Sequence, residues 1–472
     1  MSETTIARPP TAAPPQVEIR DPADGELLAR LPCAGRQEVA AAVAAARAAA
    51  AGWAATPAAE RAAALKRWAR RLRDHVAELA RLQTREMGKP IGDSRGGVEA
   101  AIGAIEQYAE LGPLHRGRTL HGDPGASDAM LRCPRGVAAV VLPWNDPVAI
   151  AGQGLAACLA TGNAVVVKPS ERAPLAVERA VELLRPELPD DVVRLLHGDG
   201  GTGAALVEAD GIDVVLHTGS VTTGRAIAVA CARRLRKAVL ELGGKDALIV
   251  DRDVDPRWAA AQAASGAFAN AGQICVAVER IYVDAAIAEP FTAALVERAR
   301  ALRMGPGLDP ASELGPLVDR RHRTAVHAKV EEAVARGARC LTGGAIPDGP
   351  GSFYPATVLD RVDPDARLLR EETFGPVAPV VAVESFDAAL DAALDTTYGL
   401  AATVLTGSER NAARACRELD VGTVKVNAVW GGAPGGAAEP RRSSGLGLGY
   451  GPELLDEVTA LRVTHREPLP EG

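Results

Sequence analysis

The stretch VAAVVLPWNDPVAIAGQGLAACLATGNAVVVKPSE, residues 137–171, sets the architecture. Its two apolar runs, VAAVVLP (137–143) and AVVVKP (164–169), are short and Val-rich. Near-continuous runs of this kind read as strands buried on both faces, as in a parallel sheet; half-buried strands would alternate apolar with polar. Between them Pro147–Leu159 reads as a helix opening on proline, where the missing N–H costs nothing. Strand, helix and strand make one crossover unit.

The same alternation continues outward. A helix covers Leu175–Leu184, and VVRLLH (192–197), VVLHT (214–218) and AVLEL (238–242) are further strands between Gly-rich turns and helices. A second αβ series runs from Asp246 to about Asn427, with strands ALIV (247–250), RIYV (280–283), VAPVVAV (377–383), AATVLT (401–406) and GTVKVN (422–427). No short-period repeat is present, so the class is α/β with two αβ domains in tandem rather than a solenoid. The N-terminal part is helical: Gln37–Ala51, then a helix opening at Thr56-Pro57 and running to Met87, where Gly88-Lys89-Pro90 stops it, then Val98–Leu111. Arg116–Cys133, with a GDPG turn at 122–125, reads as a projecting hairpin, and the tail is strand-like over Thr459–Val463. Such pieces commonly pair with a neighbouring subunit's sheet edge.

Composition narrows the function classes. A chain of 472 residues exceeds one ordinary core. Hydrophobic content of 47% and charged content of 24% are those of a soluble globular protein. The net charge of -7 is spread without a basic block, which argues against nucleic acid as a partner. Seven cysteines, at 33, 133, 158, 231, 275, 340 and 416, show no zinc spacing and fit a reducing cytoplasm. The first twenty residues are polar and Pro-rich and read as a loose leader, and the Ala-rich 39–51 is too short and polar to span a membrane.

Two glycine turns invite a phosphate reading. Gly198, Gly200 and Gly203 satisfy GxGxxG directly after a strand, but among 48 glycines one match carries little weight against a plain turn. The second is Thr218-Gly219-Ser220-Val221-Thr222-Thr223-Gly224, whose amides and Ser220 hydroxyl can receive a pyrophosphate at a helix N-terminus. The decisive point is Cys275, in Gly272-Gln273-Ile274-Cys275, together with Glu241 at the strand end Glu241-Leu242-Gly243-Gly244. A thiol and a carboxylate base at Gly-rich element ends are what covalent acyl chemistry requires. The other six cysteines read as small buried hydrophobes.

At these residues the chain resembles the aldehyde dehydrogenase superfamily over nearly its whole length. The matches run in order: PWN (143–145), KPSE (168–171), TGS with Gly224, ELGGK (241–245), GQIC (272–275) and EETFGPV (371–377), with weaker FYPATVL (353–359) and PGG (434–436). The resemblance implies two Rossmann-like αβ domains plus a small β oligomerisation element. It places the NAD-binding domain at 1–112 and 134–242 and the catalytic domain at 243–440. The oligomerisation hairpin and tail take 113–133 and 441–472, in a homodimer or homotetramer.

The resemblance also implies the chemistry. Cys275 attacks an aldehyde, Asn145 and the Cys275 backbone N–H stabilise the alkoxide, and hydride leaves to the nicotinamide. Water activated by Glu241 then hydrolyses the thioester on Cys275 to a carboxylic acid. Ser220, Gly219 and Gly224, with Trp144 nearby, belong to the pyrophosphate turn, which makes the 198–203 match a coincidence. Lys168 and Glu171, within a motif that includes Ser170, hold the adenosine ribose; Glu372 holds the nicotinamide ribose, with Phe374, Leu242 and Gly243 beside it. A carboxylate at Glu171 repels a 2′-phosphate, so NAD is expected over NADP. No metal is implied.

The sequence departs from the family at three places. Asp146 stands where many relatives carry an aromatic tunnel residue; it reads either as a helix cap or as a receptor for a cationic aldehyde. His217 replaces a common Phe, and PGGAAEPRRSSG (434–445) has extra residues and no lysine. The alternatives are a CoA-acylating semialdehyde dehydrogenase, which typically lacks the base that Glu241 supplies, and a non-catalytic protein on the same fold, which would need none of Cys275, Glu241 and Asn145. A cofactor-free cysteine hydrolase would need a His partner for the thiol, and none of the eight His stands in such a motif.

Overall fold

Val137–Val141 and Ala164–Lys168 are strands buried at every residue, paired in parallel from Val137↔Ala164 to Val141↔Lys168. The helix Pro147–Ala160 crosses between them. A computed structural model of the chain describes residues 15–432 and 436–469 and shows how this unit is extended. Val193–Leu195 joins on one side and Val214–Thr218 and Lys237–Glu241 on the other, all parallel. Alternate residues of Val137–Val141 feed two cores, as the two-residue period of a strand requires. Ala138 and Val140 pack with Leu65, Trp68, Leu72 and Ile105 of the N-terminal helices, and Val137, Ala139 and Val141 with Val39, Val43, Leu206 and Ile227.

The second sheet has seven strands in the order Arg339–Thr342, Thr357–Asp360, Val377–Val383, Val278–Asp284, Asp246–Val250, Ala401–Leu405 and Thr423–Val426. Only the outermost, Arg339–Thr342, is antiparallel. A third sheet is small and antiparallel: Arg118–Leu120, Ser127–Pro134 and Thr459–Arg466.

Several sequence expectations are corrected. Gln16–Arg20, expected in a loose leader, is a strand paired with Leu27–Pro32; the turn Pro22-Ala23-Asp24-Gly25 closes it, with Gly25 at φ 85°. The rest of the leader, residues 1–14, lies outside the described residues, as do 434 and 435 of the PGG match. The expected Thr56–Met87 helix is two, Ala58–Asp74 and Val76–Met87, broken at His75. Thr56 caps the end of the preceding helix Arg36–Ala55 rather than opening a new one. The third helix starts at Ile91, since Asp93 and Ser94 fit its first turn.

Thr459–Arg466 pairs with Ser127–Pro134 of its own chain, and the tail residues Gly445–Leu446 add antiparallel to Lys237–Glu241 in the first sheet. Among the described residues no single helix is long and apolar enough to cross a membrane.

Candidate active site

Ligands of open α/β sheets bind beyond the carboxyl ends of strands. There the first sheet delivers Pro143-Trp144-Asn145 after Val141, Gly219-Ser220 after Thr218, and Glu241 itself. Opposite them the helix Pro256–Phe268 ends, and Asn270, Ala271 and Gly272 follow in three consecutive left-handed conformations (φ 48°, 54° and 70°). Two of these are not glycine, a conformation that costs about 1–2 kcal/mol each and persists only where neighbours fix it. A Cβ on Gly272 would stand 2.2 Å from the Gly375 oxygen.

The fixing bonds are present. Asn270 Nδ2 donates to the Asn145 oxygen (3.2 Å) and the Gln273 oxygen (3.2 Å). Gln273 Nε2 donates to the Asn270 oxygen (3.0 Å), and its Oε1 accepts from the Val318 N–H (2.9 Å). Asn145 Nδ2 donates to the Gln273 oxygen (3.0 Å), so its amide is anchored on the turn that carries Cys275.

Cys275 is half-buried. Burial, then the charges of Asp246, Glu241 and Glu372, push its thiol up to about 12, so the resting group is a neutral thiol that needs a base. Glu241 is buried, and burial pushes its carboxyl up to about 8 against one hydrogen bond from the Gly449 N–H (2.9 Å). A Cβ at Gly449 would meet Glu241 Oε1 at 2.3 Å, so only glycine lets that amide approach. A carboxyl titrating near 8 is well matched to taking a proton near neutral pH.

The expected cofactor residues fall on two parts of the chain, the strand ends of the first sheet and the loop around Glu372. Lys168 is buried, not a solvated surface charge; its Nζ lies 3.4 Å from Glu171 Oε2, and burial lowers its pKa. Ser170 Oγ accepts from the Arg172 N–H (3.3 Å). Ser220 caps the helix Val221–Ala232, accepting from the Thr223 N–H, and stays exposed at the positive end of the helix dipole. Leu242 packs on Gly224, where a Cβ would stand 2.4 Å from its Cδ2. His217 lies buried behind Gly219, its Nδ1 3.1 Å from the Val141 oxygen, and burial takes its pKa down to about 4. In the Gly198–Gly203 turn the Asp199 carboxylate accepts from the Gly201 and Thr202 N–H groups, so the chain's own anion fills that helix N-terminus.

In that loop Glu372 Oε1 accepts from the Gly244 N–H (3.1 Å), and a Cβ on Gly243 would stand 2.3 Å from Glu372 Oε2. Burial, then the charge of Glu279, pushes the Glu372 carboxyl up to about 8. Phe374 takes a left-handed φ of 54°, its ring edge-on to Trp144 at 5.4 Å and its oxygen 2.7 Å from His322 Nε2.

A buried ion pair pins this loop. Lys245 Nζ meets Glu279 Oε2 at 2.5 Å and Thr373 Oγ1 at 3.0 Å, while Glu279 accepts from the Thr373 and Phe374 N–H groups. Lys245→Met leaves Glu279 buried with its countercharge gone, and such changes cost about 3–5 kcal/mol. Chemical denaturation should show a loss of that size, and an unchanged midpoint would refute the pinning role.

Asn270, Gln273, Glu279, His322 and Gly449 were not singled out from the sequence. Gln273 and Lys245 stood inside quoted motifs, but nothing local marks a hydrogen-bond partner 128 positions away, as Asn145 and Gln273 are. Asp146 is at the N-cap position of Pro147–Ala160 but makes no capping hydrogen bond; its carboxylate instead pairs with Lys89.

Residues 10–464 match the aldehyde dehydrogenase family, and the chain belongs to it. It is an NAD(P)-dependent oxidoreductase that converts an aldehyde to the acid by means of a catalytic cysteine. It is 38% identical over 443 residues to the 3,6-anhydro-alpha-L-galactose dehydrogenase of Streptomyces coelicolor, covering 92% of this chain and 89% of that one. It is 39% identical over 422 residues to a betaine aldehyde dehydrogenase of Cereibacter sphaeroides, covering 89% and 86%. Betaine aldehyde dehydrogenase from Staphylococcus aureus, solved in complex with NAD+, superposes with a TM-score of 0.93 at 30% identity, over 97% and 92% of the two chains.

Proposed function

We propose that Cys275 is the nucleophile, Glu241 the base and Asn145 the oxyanion donor of a hydrolytic aldehyde dehydrogenase. The observation that carries this reading is the juxtaposition of the three: Asn145 is bonded to the turn bearing Cys275, and the strand end that carries Glu241 packs on the same turn, where a Cβ on Gly244 would stand 2.6 Å from the Cys275 oxygen. The thiol adds to the aldehyde carbon and its proton leaves to a base. The alkoxide that forms is stabilised by Asn145 Nδ2–H and the Cys275 N–H, and a donor of this kind is worth about 3 kcal/mol. NAD, when bound, supplies the hydride acceptor. Glu241 then takes a proton from water as it attacks the thioester on Cys275, which releases the carboxylate and restores the thiol.

The residues present fit a dinucleotide. Ser220 and the open helix N-terminus suit a pyrophosphate, Lys168 and Glu171 a ribose, and Glu372 a second ribose near Phe374 and Trp144. Glu171, whose side chain is 41% exposed, offers a carboxylate where a 2′-phosphate would need a cation, which favours NAD over NADP. Relatives are solved with NAD+ or with NADP, so the preference rests on Glu171. The hairpin Arg118–Leu120/Ser127–Pro134 with Thr459–Arg466 leaves two free edges and exposed Leu461 and Val463, which supports a homodimer or homotetramer through this element. Seven free cysteines support a cytoplasmic setting.

The test is product analysis with a set of aldehydes, NAD or NADP, and with or without CoA. Acid and NADH in equal amounts, independent of CoA, are expected; an acyl-CoA product overturns the hydrolytic reading. Because the base works only when ionised, turnover limited by hydrolysis should rise with pH through an apparent pKa of about 8. A rate already flat from pH 6 to 9 would contradict that assignment.

A further inference from the structure

The relatives named above act, by their names, on aldehydes of different chemistry at nearly equal identity, so resemblance does not choose a substrate class. A polar cluster beside the reactive centre does. Asp146 follows Asn145 directly, and its Oδ2 lies 2.9 Å from Lys89 Nζ. Gln83 Nε2 lies 3.4 Å from Asp146 Oδ1, which fixes the orientation of that amide, since the reverse would set oxygen against oxygen. Gln83 Oε1 then has no partner although Gln83 is fully buried. Lys89 is buried too, with one of its three N–H donors directed to Asp146.

Tyr450 ties the cluster to the chemistry. It lines one cavity with Glu241 and Gly449, and its phenol is raised by burial and by Cys275, Glu241, Tyr108 and Asp146, so it stands among nucleophile, base and cluster. The Tyr108 hydroxyl donates to the Gly451 oxygen (3.1 Å), holding this wall against the helix Ile91–Leu111. On the same helix Gly97 lies under Asp146, where a Cβ would stand 2.4 Å from Oδ1.

Charge decides what this cluster takes. A bare Asp146 would attract an ammonium group, but the chain has already placed its own ammonium, Lys89, on that carboxylate. Asp93, a further carboxyl at the start of the same helix, interacts with both Lys89 and Asp146, and burial raises its pKa toward the neutral form. What remains is an ion pair whose charges offset each other, with N–H groups of Lys89 and lone pairs of Asp146 to spare, beside one partnerless acceptor, Gln83 Oε1. Hydroxyl groups satisfy both kinds at once, whereas an alkyl tail leaves them unpaired.

We infer that Gln83, Lys89 and Asp146 form a hydroxyl-reading subsite, and that the substrate is a neutral, hydroxylated aldehyde rather than an alkyl or quaternary ammonium one. This rests on Cys275 and Glu241 being the reactive pair. Sites built to bond a hydroxyl discriminate strongly against analogues that lack it.

The experiment compares kcat/KM of the full-length enzyme with NAD for 2,3-dihydroxypropanal, propanal and trimethylammonioacetaldehyde. The dihydroxy aldehyde is expected to exceed propanal at least tenfold, and the ammonium aldehyde to show no gain. In Gln83→Met and in Lys89→Met the dihydroxy-to-propanal ratio should fall toward one, and the first variant stands in if the second fails to fold. Equal rates for the first two substrates, a preference for the ammonium aldehyde, or a ratio that survives both substitutions overturns the inference. Absence of NADH from every aldehyde would instead overturn the catalytic reading on which it rests.

Discussion

Cys275→Ala is expected to lower kcat for aldehyde oxidation about 10⁴-fold or more while leaving the fold intact. The size follows from what is lost. Without a covalent step, hydride would have to leave from an aldehyde hydrate, with no sulfur to carry the acyl group. No other thiol can take over: Cys33, Cys158 and Cys231 are buried, with burial pushing Cys158 up to about 12. Cys133 lies on the strand Ser127–Pro134 of the small sheet, and Cys340 and Cys416, contrary to the expectation of buried side chains, are exposed elsewhere on the chain. The strained turn is held by Asn270, Gln273 and Asn145 through their amides and main-chain oxygens, none of which involves the Cys275 side chain. Thermal midpoints of variant and parent should therefore agree within a few degrees. The checks are steady-state rate, the pre-steady-state NADH burst and the melting curve together. Near-normal turnover in a well-folded variant would remove Cys275 from the mechanism.

The fold was legible where burial alone decides the pattern. Val137–Val141, Ala164–Lys168 and Val214–Thr218 are buried on both faces, so they read as uninterrupted apolar runs and their positions were anticipated closely. The hairpin Gln16–Arg20/Leu27–Pro32 was missed because it is largely exposed; a Pro-rich, polar sequence there looks like any surface segment. Arg339–Thr342 was missed for the same reason, as an exposed edge strand.

At the site, residues inside fixed motifs were found and their supports were not. Cys275, Glu241 and Asn145 stand in the short strings that carry the family resemblance. Glu279 does not; it matters only because folding sets it beside Lys245 and under the Thr373 and Phe374 amides. Asp146 shows the limit from the other side. Its local sequence, ahead of Pro147, is that of a helix cap, and only the approach of Lys89 from the N-terminal helices turns the carboxylate away.

Glu241→Gln separates the two halves of the reaction. Glutamine is nearly isosteric with glutamate, and its Oε1 can still accept the Gly449 N–H, so the side chain stays in place. What it cannot do is take a proton from water. With saturating NAD and aldehyde, the variant should release about one NADH per active site in a burst and then turn over about 10²–10⁴-fold more slowly than the parent. Thioester should accumulate on Cys275 and be detectable as a mass increase equal to the acyl group.

The pH profile adds a second readout. In the parent the rising limb near pH 8 has two candidate owners, since Glu241 and Glu372 are both pushed up to about 8 by burial. Replacing Glu241 should abolish the limb in the steady state; a limb that persists assigns it to Glu372. Unimpaired steady-state turnover would reject Glu241 as the hydrolytic base. A burst lost along with turnover would move its proton transfer to the first half, where a thiol raised to about 12 must be deprotonated before it can attack.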